Sequence, residues 1–204
     1  MPIMIFDNLQ KALGTFLKSE DTLKMAQLLE ATLNKSISYE DVEKIIGNDA
    51  EDILTLGYGW RLILPVRAAK AGDWEDRMLI PQPGEIYQVP NVVKHLVKHA
   101  IETGRWDPEK AIIEVFRNIG EPELDKMPVL VERMASKVKG HRINGSQIKK
   151  ICTELGLEKR VDPLVSELKA CGILSHKLGA IIEASRQGSP IYEINPALLV
   201  GTVK

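Results

Sequence analysis

Seven basic residues in the last third of the chain carry the clearest chemical signal in the sequence. They are Arg142, Lys149, Lys150, Lys159, Arg160, Lys169 and Arg186. Guanidinium and ammonium groups bind phosphate oxygens, and several of them on one surface neutralise a polyanion. These residue types therefore predict a binding surface for a polyanionic ligand, provided that the elements between them fold so as to bring the side chains together.

The formal charge of the chain is unevenly distributed. The net charge at pH 7 is only −1, yet residues 1–132 contain 15 basic and 22 acidic residues, whereas residues 133–204 contain 12 basic and 6 acidic ones. Such asymmetry is typical of chains whose two parts contact different partners, and the basic part is the one suited to a polyanion. Attraction between the acidic and the basic part is the alternative explanation, and the sequence leaves both open.

Length and composition restrict the class of protein. A chain of 204 residues with 44% apolar residues corresponds to one or two domains at about 150 residues each, and it can bury a core without disulfides or metals. Cys152 and Cys171 form no CxxC pair, which indicates a reducing, cytoplasmic setting. No apolar run reaches the roughly 18 residues of a membrane span, and the N-terminus does not resemble a signal peptide. We therefore expect a protein that is neither membrane-bound nor exported.

The first part of the chain is expected to form helices and then a hairpin. Apolar residues at three- and four-residue steps predict helices at residues 4–17, 19–33, 38–47 and 49–56. Ser19 and Ser38 are the expected N-caps of the second and third helices. The period then changes to two at 60–64, which predicts a strand, and a second extended run at 78–80 completes the hairpin.

The remainder of the chain begins with a helical connector. Helices are expected at 91–103, 108–119 and 128–139, followed by a helix from the Asn144 cap to Gly156 and another from the Asp162 cap to Gly172. Asn144 and Gln147 have the spacing of a capping box. Two further strands are expected at 173–175 and 190–194, on either side of a polar tip at 185–189.

The stretch GLEKRVDPLVSELKACGIL resembles the turn, third helix and first wing strand of the winged-helix family. Residues 125–200 cover one such unit, and residues 20–88 resemble a more divergent copy. The predicted fold class is therefore mainly α with short β-hairpins (wings), arranged as tandem winged-helix-like units joined by a helical connector. The corresponding domain boundaries are 1–89, 90–124 and 125–204.

The resemblance implies a function for the basic unit. In winged-helix proteins that bind DNA, the third helix enters the major groove and the wing touches the neighbouring backbone. We therefore expect a DNA-binding protein that acts as a transcriptional regulator and a homodimer and contacts duplex DNA through the seven basic residues. The helix at 49–56 carries Asp49, Glu51 and Asp52 and no basic residue, so the first unit is not expected to bind DNA through it.

Two other classes of function compete with DNA binding. A non-enzymatic protein-interaction or dimerisation module, with winged-helix folds that bind no DNA, remains the alternative. The motifs HExxH, GxSxG, GxxxxGK[ST] and GxGxxG do not occur, so neither an enzyme nor a cofactor is expected. Cys152 and Cys171 fit buried apolar positions better than a nucleophile's role.

Two smaller features have simple structural explanations. His95, His99 and Glu102 lie at i, i+4 and i+7 of one predicted helix, a spacing that metal ligands can use. We expect this face to be solvated instead, so no metal site is predicted. Trp74, between acidic residues of a predicted loop, would be an anchor for a protein partner if exposed, although burial is the simpler expectation.

Overall fold

The computed structural model describes residues 3–67, 81–177 and 181–201. Within these ranges the protein is mainly helical and contains two small three-stranded antiparallel sheets. The expectation of a mainly helical chain with short strands is thereby confirmed. Trp74 and the strand expected at 78–80 lie outside the described residues.

The first part of the chain forms four helices and the first sheet. The helices are α1 (Ile3–Leu13), α2 (Ser19–Thr32), α3 (Tyr39–Ile46) and α4 (Ala50–Gly59). The strands are β1 (Ile37–Ser38), β2 (Leu64–Pro65) and β3 (Ile86–Gln88), in the spatial order β1-β3-β2. Ser38 caps α3 as predicted, because its Oγ accepts a hydrogen bond from the N–H of Asp41 at 3.2 Å.

Two helices form the connector, α5 (Asn91–Thr103) and α6 (Pro108–Asn118). Asp107 caps α6 as predicted, since its carboxylate accepts a hydrogen bond from the N–H of Lys110 at 3.0 Å. Helix α5 packs against both α1 and α6. Its contact with α1 includes a hydrogen bond of 2.9 Å from Asn8 Nδ2 to the carbonyl of Ile101. The connector is therefore part of the packed body and not a tether.

The last part of the chain repeats the arrangement of the first. Its helices are α7 (Lys126–Ala135), α8 (Gly145–Glu154), α9 (Val161–Ala170) and α10 (Ile181–Gln187). Its strands are β4 (Arg142–Asn144), β5 (Leu174–His176) and β6 (Ile191–Ile194), in the spatial order β4-β6-β5. In both parts a helix is followed by a strand, two helices and two further strands, and the last strand pairs with both of the others.

One hydrophobic core runs through all three parts, from Leu9 in α1 through Leu96 in α5 to Leu199 near the end of the described chain. Hydrogen bonds join the connector to the last part at two places. The N–H of Val92 donates to the carbonyl of Cys171 at 2.9 Å, and Trp106 Nε1 donates to the carbonyl of Ala197 at 2.8 Å. The parts are thus held in contact both by apolar packing and by directional bonds.

The strand predicted at 60–64 is wrong for most of its length. Arg61 has a φ of 53° and lies in a turn after α4. The N–H groups of Leu62 and Ile63 both point to the carbonyl of Gly57, at 2.8 and 3.4 Å. Because this turn uses those donors, only Leu64–Pro65 joins the sheet. The partner strand is Ile86–Gln88, a segment in which no strand was predicted.

Three helices begin at residues other than those predicted, and the polar tip predicted at 185–189 also differs. Helix α2 begins at Ser19 itself, so that Lys18 occupies the cap position. Helix α7 begins two residues before Pro128, which fits because a proline in the first helical turn forfeits no intrahelical bond. Helix α9 begins at Val161, and Asp162 is not its cap. The predicted polar tip at 185–189 is replaced in its first half by the end of α10.

Candidate nucleic-acid interface

A groove in the last part of the molecule contains two of the seven predicted basic residues. Lys149 of α8 and Lys169 of α9 both line it, and strands β5 and β6 contribute to its wall. The groove has a volume of about 410 Å³. Its other polar side chains are Ser146, Asp162, Ser166, His176, Ser189 and Tyr192. The fold thus brings two ammonium groups from different helices to one concave surface.

Hydrogen bonds at its first turn hold α8 against the residues that precede β6. Asn144 and Gln147 form the predicted capping box, with the N–H of Gln147 donating to Asn144 Oδ1 at 2.8 Å. The N–H of Ser146 donates to Ser189 Oγ at 2.9 Å. These N–H groups at the start of α8 already have partners within the protein. These two N–H groups are therefore not available to an anion in the groove, whereas its polar side chains line the surface.

Two aromatic side chains form part of the wall of the groove. The rings of His176 and Tyr192 lie 4.9 Å apart between centroids. Burial raises the pKa of the Tyr192 phenol above its usual value, and the negative charge of Asp162 adds to this effect. The phenol therefore stays protonated at neutral pH and can donate a hydrogen bond. Among the described lining residues, Asp162 carries the one carboxylate, and Lys149 and Lys169 carry the two ammonium groups.

Arg142 lines a second pocket, of about 360 Å³, and not the groove. Lys137 and Lys139, which were not predicted as site residues, line the same pocket. Arg142 Nη1 lies 3.5 Å from Glu183 Oε2, and both side chains are 45% exposed. The sequence signal for this cluster was available, since three basic residues fall within six positions before the capping box.

Arg160 is engaged inside the molecule. Its two terminal nitrogens donate to the two carboxylate oxygens of Glu121 at 2.6 and 2.9 Å, and the Glu121 side chain is only 1% exposed. Glu123 and Glu167 lie 3.7 and 3.4 Å from the same guanidinium. An external phosphate could recruit Arg160 only by displacing these carboxylates, so Arg160 differs from the free cation that the sequence suggested.

The other three predicted residues lie on the surface. Lys150, Lys159 and Arg186 are exposed, and none of them lines the groove or the second pocket. Within the described part of the chain, no ion pair to these three side chains is present. Of the seven residues, the structure therefore brings Lys149 and Lys169 together, places Arg142 in a neighbouring pocket, and leaves three on open surface.

The histidines of α5 contact α6. His95 Nε2 lies 3.1 Å from Asn118 Nδ2, and His99 Nε2 lies 3.6 Å from Asp107 Oδ2, with the His99 side chain only 12% exposed. The expectation that this whole face is solvated is therefore wrong for His99. The pKa of His95 is lowered mainly by burial, and the nearby positive charge of Lys98 adds to the effect. Among the described residues, no group of three or more His, Cys, Asp or Glu side chains is arranged to hold a metal ion.

Both cysteines are free thiols in the core. Burial raises the pKa of the Cys152 thiol, and it raises the pKa of Cys171 to about 12, with the charge of Glu167 contributing. A thiolate is the reactive form of cysteine. These two side chains therefore act as small apolar residues at neutral pH.

The helix in the first part that corresponds to α9 is acidic at its start. Glu51 and Asp52 of α4 are exposed, and Asp49 forms an ion pair with Lys24 of α2. A phosphate backbone approaching this end of α4 would meet charge of its own sign. The two parts of the protein thus share an arrangement of elements but differ in surface charge at the equivalent helix.

The chain belongs to an uncharacterised protein family, whose family model matches residues 7–202. Among curated proteins and among solved structures, no significant match to the chain was found. No helix in the ranges 3–67, 81–177 and 181–201 combines the length and the apolar character needed to cross a membrane.

Proposed function

We propose that residues 20–88 and 125–200 are tandem winged-helix units and that the second unit binds duplex DNA. The support for the fold assignment is the arrangement shared by the two parts, in which the last strand lies between the other two. In this assignment α9 is the third helix of its unit, the element that enters the major groove in winged-helix proteins that bind DNA. The segment around α10 takes the place of the wing.

The observation that carries the proposal is the position of Lys149 and Lys169 in one groove. Lys169 belongs to α9, the helix that would face the bases, and Lys149 belongs to the helix before it, so a duplex in the groove would meet one cation from each of two helices. Phosphate contacts from two helices fix the orientation of the protein on the duplex. The polar side chains of Ser166, His176 and Tyr192 line the same groove and can hydrogen-bond to phosphate or base edges.

A titration of a fluorescently labelled duplex tests the proposal. At roughly 50 mM salt the wild-type protein is expected to bind, and binding should weaken steeply by roughly 200 mM. The double variant Lys149→Ala/Lys169→Ala should bind more weakly and reduce the slope of log K against log salt by about two, roughly 0.9 for each phosphate that is no longer neutralised.

The matched control is Lys18→Ala/Lys35→Ala, which removes the same charge from exposed positions in the first part of the chain. It should leave the slope nearly unchanged, because the contribution of a charge far from the phosphates is screened. Failure of the wild-type protein to bind duplex at the lower salt concentration would refute the proposed function.

The proposal also includes a biological setting. A protein of this kind would act without catalysis or a cofactor, as a transcriptional regulator in a reducing cytoplasm, and two buried free thiols suit such a compartment. Homodimerisation is part of the proposal, because dimers present two reading helices to two half-sites of a duplex.

A protein-interaction module is the second candidate, and one surface favours it. A groove of about 460 Å³ between the start of α6 and helix α7 is lined by Trp106, Pro128 and the 37% exposed Val129, among others. Light scattering over a salt series separates the candidates. A dimer that dissociates as salt rises, together with no affinity for DNA in either state, would favour the interaction module.

A further inference from the structure

A tight hairpin joins α7 to β4. Its ends are Lys139 and Arg142, whose backbone N–H and C=O groups bond to each other in both directions at 3.1 Å. The two residues between them, Gly140 and His141, have φ angles of 56° and 63°. A two-residue loop with both φ angles positive is the type I′ turn, the loop that best matches the twist of the paired strands.

This hairpin places like charges next to each other. Residues that exchange both backbone hydrogen bonds project their side chains to the same face, so Lys139 and Arg142 are neighbours. Like charges directly opposite each other destabilise a strand pair. His141 adds a second cost, because residues other than glycine are disfavoured at positive φ. The hairpin thus holds two cations side by side despite these local costs.

The two side chains open into the second pocket described above. Lys137, Lys139 and Arg142 line this pocket together with one carboxylate, that of Glu183. Glu183 accepts a hydrogen bond of 3.0 Å from Gln187 Nε2 and lies 3.5 Å from the Arg142 guanidinium. Three cations therefore face a single carboxylate among the described lining residues. We call Lys137, Lys139 and Arg142 the hairpin cations.

The second pocket, which the hairpin cations line, shares segments of the chain with the groove that contains Lys149 and Lys169. Residues 143, 144 and 147 line the pocket, whereas 145, 146 and 149 of the same segment line the groove. Strand β6 and the residues before it are divided in the same way. Residues 187 and 191 line the pocket, whereas 189, 190 and 192 line the groove. The same two segments of chain therefore contribute to both cavities.

We propose that the hairpin cations bind phosphates of the DNA backbone and form a second electrostatic contact next to the groove. This inference rests on the proposed function, because it extends the same duplex beyond Lys149 and Lys169. Lys137 and Lys139 become DNA-contacting residues of a part of the fold that the sequence did not single out. Arg142 exchanges its exposed pair with Glu183 for a phosphate, an exchange made easy by the solvent around that pair.

The first experiment compares salt dependences. Lys137→Ala/Lys139→Ala should weaken duplex binding and lower the slope of log K against log salt by about two relative to wild type. Lys18→Ala/Lys35→Ala again serves as the control of equal charge. If wild type binds and the hairpin variant matches the control, the hairpin contact is refuted while the proposed function stands. If wild type does not bind duplex at low salt, both are refuted.

The second experiment separates binding from stability. Lys139→Glu converts the like-charged pair into an opposite-charged one, so its Tm should equal or exceed that of wild type. Its affinity for duplex should nevertheless fall further than that of Lys139→Ala, since a phosphate would now meet a carboxylate. A lower Tm would contradict the like-charge argument, and an affinity equal to that of wild type would exclude Lys139 from the interface.

Discussion

The guanidinium of Arg61 forms a buried ion pair with the carboxylate of Glu193, although the two residues are 132 positions apart. Arg61 Nε lies 3.0 Å from Glu193 Oε1, and the side chains are only 8% and 6% exposed. Lys177 Nζ lies 3.0 Å from the other oxygen of the same carboxylate. The Arg61 guanidinium also stacks over the Tyr58 ring, 4.3 Å from its centroid. One carboxylate in β6 therefore joins the first part of the protein to the last.

Neutralising this carboxylate should destabilise the protein. Glu193→Gln keeps the size of the side chain but leaves the buried cations Arg61 and Lys177 without its negative charge. Removal of one partner from a buried ion pair typically costs about 3 kcal/mol or more. Urea unfolding, followed by far-UV circular dichroism, measures the change in the free energy of unfolding.

A matched variant shows whether burial is the reason for the loss of stability in Glu193→Gln. Glu154 pairs with Arg133 at 3.3 Å, and both side chains are more than 40% exposed, at 47% and 43%. Glu154→Gln should change the stability by less than about 1 kcal/mol, because exposed ion pairs contribute little. Equal losses for the two variants would contradict the importance of the buried pair.

Local signals in the sequence located most helices but few of the contacts between them. The caps at Ser38, Asp107 and Asn144 were predictable, because each involves a residue three positions away. The pairing of Arg61 with Glu193 was not predictable, since nothing in either local sequence specifies a partner 132 residues distant. The turn at Arg61 was not predictable either: Trp60, Leu62 and Leu64 lie at every second position, as in a strand, but Leu62, Ile63 and Leu64 are all buried.

The candidate site was predictable to a similar extent. Charge counting found the basic part of the chain, and helical periodicity placed Lys149 and Lys169 on successive helices. It did not show that Arg160 is engaged inside the molecule, because the Glu121 carboxylate that binds Arg160 lies 39 residues earlier. Of the hairpin cations, Arg142 was predicted, whereas Lys137 and Lys139 were missed because the residues before Gly140 have the periodicity of a helix that ends at this glycine.

The ion pair between Arg160 and Glu121 should make stability depend on pH. Hydrogen bonds from Arg160, the largest cause, lower the pKa of Glu121 below its usual 4.5. A carboxyl group with a lowered pKa stabilises the folded state above its unfolded pKa, and this contribution is lost as the pH falls through the folded value. Glu121→Gln should therefore cost about 2 kcal/mol at pH 7, the scale of hydrogen bonds to a charged group. The difference from wild type should shrink as the pH falls below 4.5.

Glu167 in the same cluster provides the control. Burial and then the charge of Glu121 raise the pKa of Glu167, so ionisation of this side chain opposes folding as the pH rises above its unfolded pKa. Glu167→Gln should consequently destabilise less than Glu121→Gln at pH 7, or stabilise. Urea unfolding at several pH values measures both variants. A loss for Glu121→Gln that is the same at pH 7 and at acid pH would contradict the assignment.

Gly172, at the end of α9, should tolerate no side chain because of both its backbone and its surroundings. Its φ is 78°, and a Cβ at this position would lie 2.7 Å from Pro90 Cβ, at the start of the connector. Gly188 has a φ of 61° and open space within 4 Å. Both substitutions to alanine incur the left-handed backbone cost of about 1–2 kcal/mol. Gly172→Ala should lose roughly a further 1–3 kcal/mol through overpacking. If urea unfolding showed the same loss in the free energy of unfolding for both variants, the contact with Pro90 would not contribute to the cost at Gly172.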